Sequence, residues 1–138
     1  AQGAKPVLLT PLSRRQWDEA HPGHIQSTLE PYAAQVLKIA AAKHVPVIDL
    51  HARSLAYYEQ VGRPATEKFS PVKVVNGTNV IDTTHLAGVG RVLMAQLVVA
   101  EVRQQVPALQ PYLRSEPDAS QVKGSESAAA KAATTLEH

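Results

Sequence analysis

K-P-V-L-L-T-P-L at residues 5–12 and V-P-V-I-D-L at residues 45–50 are two short apolar runs, each containing proline. Runs of this length and composition predict strands that are buried on both faces, which is typical of parallel sheets. We place the first strand at residues 7–10 and the second at residues 45–50.

Helical patterns alternate with these strands. Apolar residues recur at helical spacing over residues 29–40, and Ser27 with Glu30 has the spacing of a capping box, which predicts a helix over residues 27–43. A second helix is predicted over residues 50–61, before a glycine and a proline. The order strand, helix, strand, helix predicts βαβ units, so the fold class is α/β.

The remainder of the chain divides into three parts. Residues 63–81 lose periodicity and contain turn residues, which predicts a long loop. Residues 86–103 are apolar on nearly their whole circumference and stop before Pro107, which predicts a helix packed on more than one side. Residues 114–138 are predicted to form a flexible tail, with a nascent helix at 128–133 and a final L-E-H that resembles a cloning-vector histidine tag.

Composition limits the classes of function. A chain of 138 residues with 44% hydrophobic residues is long enough for one compact domain. The net charge is only +2 and the basic residues are scattered, which argues against nucleic acid as a partner. The chain has no cysteine, hence no disulfide or thiolate site. No apolar run is long enough to span a membrane, and the residues before the first strand lack the basic-then-apolar profile of a secretion signal.

Asp82 and His85 are the residues best suited to carry chemistry. They belong to D-T-T-H, which lies between the predicted loop and the most apolar helix. A neutral imidazole can accept a proton from a hydroxyl nucleophile and return it to a leaving group when a carboxylate fixes its tautomer. By itself the spacing is weak evidence, because an aspartate that caps a helix near a surface histidine has the same pattern.

The surrounding sequence strengthens this interpretation. I-D-T-T-H-L-A-G-V-G-R-V-L-M-A at residues 81–95 resembles the last block of the SGNH/GDSL hydrolases, in which an Asp-x-x-His-Leu segment opens the terminal helix. K-P-V-L-L-T-P-L-S-R-R, V-P-V-I-D-L and Y-Y-E-Q-V-G, in this order, resemble the rhamnogalacturonan acetylesterase branch of that family, and the similarity covers residues 4–113.

This resemblance implies a fold, an activity and a location. The fold would be a three-layer, flavodoxin-like hydrolase domain with a parallel five-stranded sheet between helices, of which residues 1–113 would form the C-terminal half. Asp82 would orient His85, and His85 would act as general base in removing O-acetyl groups from a pectic-type polysaccharide without any cofactor. A secreted or periplasmic location is implied as well.

The departures from the family pattern concern the nucleophile. The family's serine lies in a Gly-Asp-Ser-Leu block, and an oxyanion donor lies in a Gly-x-Asn-Asp block; neither block occurs here. Ser13, Ser27, Ser54 and Ser70 have no such neighbours, nor do the four serines of the tail. We therefore expect the serine and three further strands to come from an N-terminal complementing fragment or a second copy, because a two-stranded remnant would expose apolar edges.

Other candidates have weaker support. Arg14 and Arg15 follow the end of a strand, where open α/β sheets bind ligands, and could contact an acidic sugar, although solvated arginines are the more common case. His21, His24, Asp49 and His51 could ligate zinc if folding joined them, but no ligand spacing supports a metal, and exposed loop histidines and a structural aspartate are the favoured interpretation. Trp17, Tyr57 and Tyr58 are predicted to be packing residues. A noncatalytic remnant that binds glycan or serves assembly is the alternative function.

Overall fold

The structure, a computed structural model, describes residues 3–114. Its elements are β1 (Leu8–Leu9), α1 (Glu30–Lys43), β2 (Val47–Ile48), α2 (Leu50–Val61), α3 (Arg63–Glu67), β3 (Val72–Val75), β4 (Thr78–Ile81), α4 (Gly88–Gln105) and a 3-10 helix (Pro107–Tyr112). Helices mixed with small sheets fit the α/β class predicted from the sequence. The predicted tail lies outside the described residues except for Arg114, and so does its predicted helix.

β1 and β2 form a two-stranded parallel sheet. The Leu8 amide donates to the Pro46 carbonyl at 2.9 Å, and the Thr10 amide donates to the Ile48 carbonyl at 3.1 Å. Because successive residues of a strand face opposite sides in a parallel ladder, the Leu9 amide between them faces away from β2. Within residues 3–114, this edge of β1 is open, and the Leu9 side chain is 44% exposed.

The second strand is shorter than predicted because Asp49 already caps the following helix. Its Oδ1 accepts hydrogen bonds from the Ala52 amide at 3.2 Å and from Thr10 Oγ1 at 2.9 Å. Leu50 is therefore the first residue of α2 rather than the last residue of a strand. The predicted end of this helix at Val61 is confirmed.

α1 begins at Glu30 rather than near Ser27, so the predicted capping box is wrong. Ser27 Oγ lies 2.6 Å from His51 Nε2 and is thereby withdrawn from capping. Leu29 takes the N-cap position without a side-chain hydrogen bond. Pro31 lies in the first turn, where backbone N–H groups make no hydrogen bond within the helix, so a residue without an N–H is tolerated there. The end of the helix agrees with the prediction.

Residues 63–81 do not form the predicted long loop. They form α3 and an antiparallel hairpin, in which β3 pairs with β4. Asn76 and Gly77 at its turn have φ values of 51° and 77°, as a two-residue type I′ turn requires. The stretch V-K-V-V-N-G-T-N-V-I, with Asn-Gly between β-branched residues, carries the hairpin signal that the prediction missed. Every residue of the two strands is exposed.

The core lies between α2, α4, the segment before α1 and the segment that follows α3. Its buried residues are Ile25, Tyr58, Phe69 and Met94. Trp17 and Tyr57 pack against this cluster, and Tyr58 belongs to it, which confirms all three as packing residues.

α4 starts close to its predicted position and ends, as predicted, before Pro107. It contacts α2, β2 and the 3-10 helix, yet most of its large apolar side chains are only half-buried. Its buried residues are Gly88, Gly90, Met94 and Glu101. Across residues 3–114, no helix combines the length and the hydrophobicity needed to cross a membrane.

Candidate active site

The D-T-T-H segment forms a turn between β4 and α4 that is organised around the Asp82 carboxylate. Asp82 Oδ1 accepts hydrogen bonds from the backbone amides of Thr84 at 2.8 Å and His85 at 3.0 Å. Asp82 Oδ2 lies 3.0 Å from His85 Nδ1 and 3.5 Å from Lys73 Nζ on β3. One carboxylate therefore holds both the backbone of the turn and the imidazole.

The two side chains differ in their exposure to solvent. The side chain of Asp82 is 11% exposed, whereas that of His85 is 76% exposed. An ionised carboxylate that faces Nδ1 accepts a hydrogen bond from Nδ1–H, so Nε2 of the neutral ring is an acceptor. Among residues 3–114, no hydroxyl is hydrogen-bonded to His85 Nε2. Within the described residues, the turn thus presents an oriented and accessible imidazole with no hydroxyl hydrogen-bonded to it.

The pKa of Asp82 is held well below its ordinary value of 3.8. The hydrogen bond from the His85 amide is the largest cause, followed by those from the His85 side chain and the Thr84 amide. The charge of Lys73 lowers the pKa a little further, and partial burial opposes these effects. Asp82 is therefore an anion at neutral and mildly acidic pH, as the orientation of an imidazole requires.

Arg15 is buried behind this turn, with 2% of its surface exposed. Its Nη2 donates hydrogen bonds to the carbonyl oxygens of Asp82, at 3.1 Å, and of His85, and its Nε donates to Ser70 Oγ at 3.1 Å. Its backbone amide donates to the Thr83 carbonyl at 2.9 Å. The solvated side chain favoured from the sequence is therefore wrong for Arg15, because its guanidinium is used inside the domain.

Arg14 lies apart from this network. It is half-buried and lines a shallow pocket of about 630 Å³ beside the open edge of β1, together with Leu9, Pro11 and Tyr32. Its Nε is buried and has no hydrogen-bond partner within residues 3–114. Contact of either arginine with a substrate stays a prediction.

A second pocket, of about 370 Å³, adjoins the turn. Arg15, Ser70 and Thr83 form the wall on the side of the turn, and charged side chains from α3, Arg63 and Glu67, form part of the rest. The lining therefore offers hydrogen-bond donors and acceptors, and it includes Thr83, the residue that follows Asp82 in the sequence.

An Asp-x-x-His segment occurs a second time, at residues 18–21. His21 Nδ1 lies 3.0 Å from Asp18 Oδ2, and the His21 side chain is 73% exposed, so this pair matches the first in spacing, distance and exposure. The Asp18 side chain is more exposed, at 28%, and lies in an irregular loop. Pair geometry alone therefore does not distinguish the two sites, but the anchoring of the turn by Arg15 does.

The four residues considered for zinc do not converge. Asp49 caps α2, as the structural interpretation had it, and His21 and His24 are exposed loop residues paired with separate carboxylates. His51 differs from the expectation, because it lies buried in the first turn of α2 with 5% of its surface exposed. In the described part of the chain, no three histidine, cysteine, aspartate or glutamate residues are grouped to hold a metal ion.

His51 and Ser27 form a pair that sequence analysis did not find. The Pro11 carbonyl lies 3.3 Å from His51 Nδ1 and can only accept a hydrogen bond, so in the neutral ring Nδ1 carries the proton and the Ser27 hydroxyl donates to Nε2. The pair joins the segment before α1 to the start of α2. Its members are 24 residues apart in the sequence, so no local pattern could have indicated the contact.

Two proteins of Bacillus subtilis (strain 168) are similar to this chain. Rhamnogalacturonan acetylesterase RhgT is 33% identical over 119 residues, which cover 83% of this chain and 50% of the enzyme. Probable rhamnogalacturonan acetylesterase YesY is 28% identical over 103 residues, which cover 75% of this chain and 44% of that protein. No family model matches the chain, and no solved structure is significantly similar to it.

The chain thus spans about half the length of the curated relatives that it matches. These similarities confirm the relationship inferred from the order of its motifs. Over most of its own length, this chain is related to the rhamnogalacturonan acetylesterases.

Proposed function

We propose that this chain supplies the Asp82–His85 pair of a serine carbohydrate esterase that removes O-acetyl groups from a pectic-type polysaccharide. The observation that carries the proposal is the 3.0 Å contact between Asp82 Oδ2 and His85 Nδ1, with the imidazole 76% exposed. The names of the two relatives support the class of substrate.

The proposed chemistry follows from the geometry of the pair. Asp82 accepts a hydrogen bond from Nδ1–H of the neutral imidazole, and His85 Nε2 therefore keeps a free lone pair. As a serine hydroxyl attacks the acetyl carbonyl, Nε2 takes the serine proton, and the Asp82 anion stabilises the imidazolium. The Nε2 proton then passes to the sugar oxygen as the bond between acyl carbon and sugar oxygen breaks. Water then attacks the acetyl carbonyl while Nε2 takes its proton. The bond between acyl carbon and serine oxygen breaks, acetate leaves, and Nε2 returns the proton to the serine oxygen.

The serine and the oxyanion donors would come from an N-terminal complementing portion or a second copy. In this proposal residues 1–113 are the C-terminal half of a three-layer SGNH-type domain, and residues 114–138 are a tail outside it. The open edge of β1 and the half-buried apolar surface of α4 support a missing partner, because such surfaces are covered in a complete domain.

The test is hydrolysis of an acetyl ester by this chain mixed with an N-terminal fragment that contains a Gly-Asp-Ser block. We expect activity in the mixture, and we expect His85→Ala to abolish it. The matched control is His21→Ala, which removes the other exposed histidine of an Asp-x-x-His pair and should leave the rate unchanged.

Activity that persists in His85→Ala would refute the assignment of the base, and equal losses in the two variants would show that the assay reports folding. If no complementing fragment confers turnover and the chain still binds acetylated polysaccharide, the noncatalytic alternative is correct.

A further inference from the structure

We propose that Arg15 is a positioning residue that holds the Asp82–His85 turn in the conformation in which the carboxylate orients the imidazole. This inference rests on the proposed function of the pair. It assigns Arg15 a role different from the substrate contact suggested by its place after a strand.

The contacts of Arg15 cover nearly the whole turn. The carbonyl oxygens of Asp82, Thr83 and His85 all accept hydrogen bonds from Arg15, two of them from Nη2 and one from its backbone amide. Asp82 organises the amide side of the same turn through Thr84 and His85. The carboxylate and the guanidinium thus hold opposite sides of one backbone segment, and both converge on His85.

The cost of burying Arg15 indicates that these contacts matter. Within residues 3–114, no carboxylate pairs with its guanidinium, whose charge is met by carbonyl oxygens, by Ser70 Oγ and by the ring of Tyr58, 5.7 Å from Cζ. A buried charge is strongly unfavourable unless hydrogen bonds compensate it. Nε and Nη2 of Arg15 have partners, whereas its buried Nη1 has none within residues 3–114, so the favourable contacts of this guanidinium are concentrated on the turn and on Ser70. A lysine has no planar fork and cannot reproduce the pair of bonds from Nη2 together with the bond from Nε.

The second Asp-x-x-His pair serves as an internal comparison. The His21 carbonyl accepts a hydrogen bond from the backbone amide of His24 in its own loop. The His85 carbonyl is instead held from a segment 70 residues away in the sequence. Two pairs with the same local geometry therefore differ in whether the core of the domain fixes them.

The test uses the whole chain and reads the His85 imidazole by nitrogen NMR. In the unmodified chain, neutral His85 should carry its proton on Nδ1. Arg15→Lys and Arg15→Met should both shift the population toward the Nε2–H tautomer, because the turn is no longer held against Asp82. Arg15→Met keeps the approximate volume without a buried charge, so it offers a second folded variant. With the complementing fragment, kcat should fall by about 10²-fold with KM nearly unchanged, as expected when a base is misplaced by about 1 Å.

The matched control is Arg53→Gln, which removes the ion pair between Arg53 and the buried Glu101 and should destabilise the fold without moving the His85 tautomer. A folded Arg15 variant with an unchanged tautomer population would overturn the inference. If neither variant folds, the guanidinium protons of Arg15 are measured by NMR in the unmodified chain. Resolved and slowly exchanging Nη2 protons support the inference, whereas rotationally averaged Nη signals overturn it. A tautomer shift without any esterase activity in the complemented chain would refute the proposed function and leave the positioning role intact.

Discussion

Gly90→Ala should destabilise this protein, although the same change usually stabilises a helix. Gly90 lies inside α4, where α4 passes the backbone of Phe69. A Cβ at this position would lie 2.5 Å from the Phe69 Cβ and 2.9 Å from both its Cα and its carbonyl oxygen. Two of these three atoms are backbone, so a rotamer change cannot relieve the overlap.

The magnitude follows from two opposing terms. Alanine in a helix interior is favoured over glycine by about 1 kcal/mol. Overpacking of a core by one methyl group costs roughly 1–3 kcal/mol, and the contact with backbone places Gly90 at the upper end, at about 3 kcal/mol. The net loss in the free energy of unfolding should therefore be about 2 kcal/mol.

Urea unfolding followed by far-UV circular dichroism measures this loss as a lower midpoint with an unchanged slope. Ala95→Gly, at an exposed position of α4, is the matched control and should lose only the propensity term of about 1 kcal/mol. A Gly90→Ala chain as stable as the unmodified one, or more stable, would refute the close packing of α4 on Phe69.

Three further predictions concern the turn and the helix contacts. Asp82→Asn should lower kcat of the complemented chain by about 10⁴-fold, the size of effect seen when the carboxylate of a catalytic triad is made neutral, and a loss below tenfold would count against Asp82 as the orienting group. The pKa of Asp82 in the folded chain lies below 3.8, so its hydrogen bonds stabilise the fold fully above pH 3.8, and this stability is lost as the pH falls through the folded pKa. Carbon NMR should show the Asp82 carboxyl still ionised at pH 3.8. Half-protonation at that pH would contradict the lowering of the pKa by hydrogen bonds from His85 and Thr84. Arg53→Gln should lower the free energy of unfolding by about 1–2 kcal/mol, which lies between the values for exposed and fully buried ion pairs. The reason is that the buried Glu101 carboxylate loses the Arg53 guanidinium, which lies 2.6 Å from it. An unchanged urea midpoint would show that this ion pair does not contribute to stability.

Local patterns in the sequence were sufficient for elements whose residues interact with near neighbours. The helix over residues 50–61 is predictable because its apolar spacing and its terminal glycine are local, although its cap by Asp49 lies in residues that the sequence analysis assigns to a strand. The hairpin over residues 72–81 has an equally local signal in its Asn-Gly turn, so the loop predicted for this segment is wrong because that signal was missed and not because the sequence lacks the information. The start of α1 was misplaced for a different reason, since the hydroxyl expected to cap it bonds to His51 in another helix.

The sequence by itself determined the α/β class, the relationship to the rhamnogalacturonan acetylesterases and the choice of Asp82 and His85 as a pair. Those conclusions rest on spacing and motif order, which are one-dimensional. Only the tertiary structure decided that Arg15 is buried behind the turn and that Gly90 packs directly against the backbone of Phe69. The physical reason is that hydrogen bonds and packing contacts between residues far apart in the chain leave no periodic trace in the sequence, so they exist only once the backbone has folded.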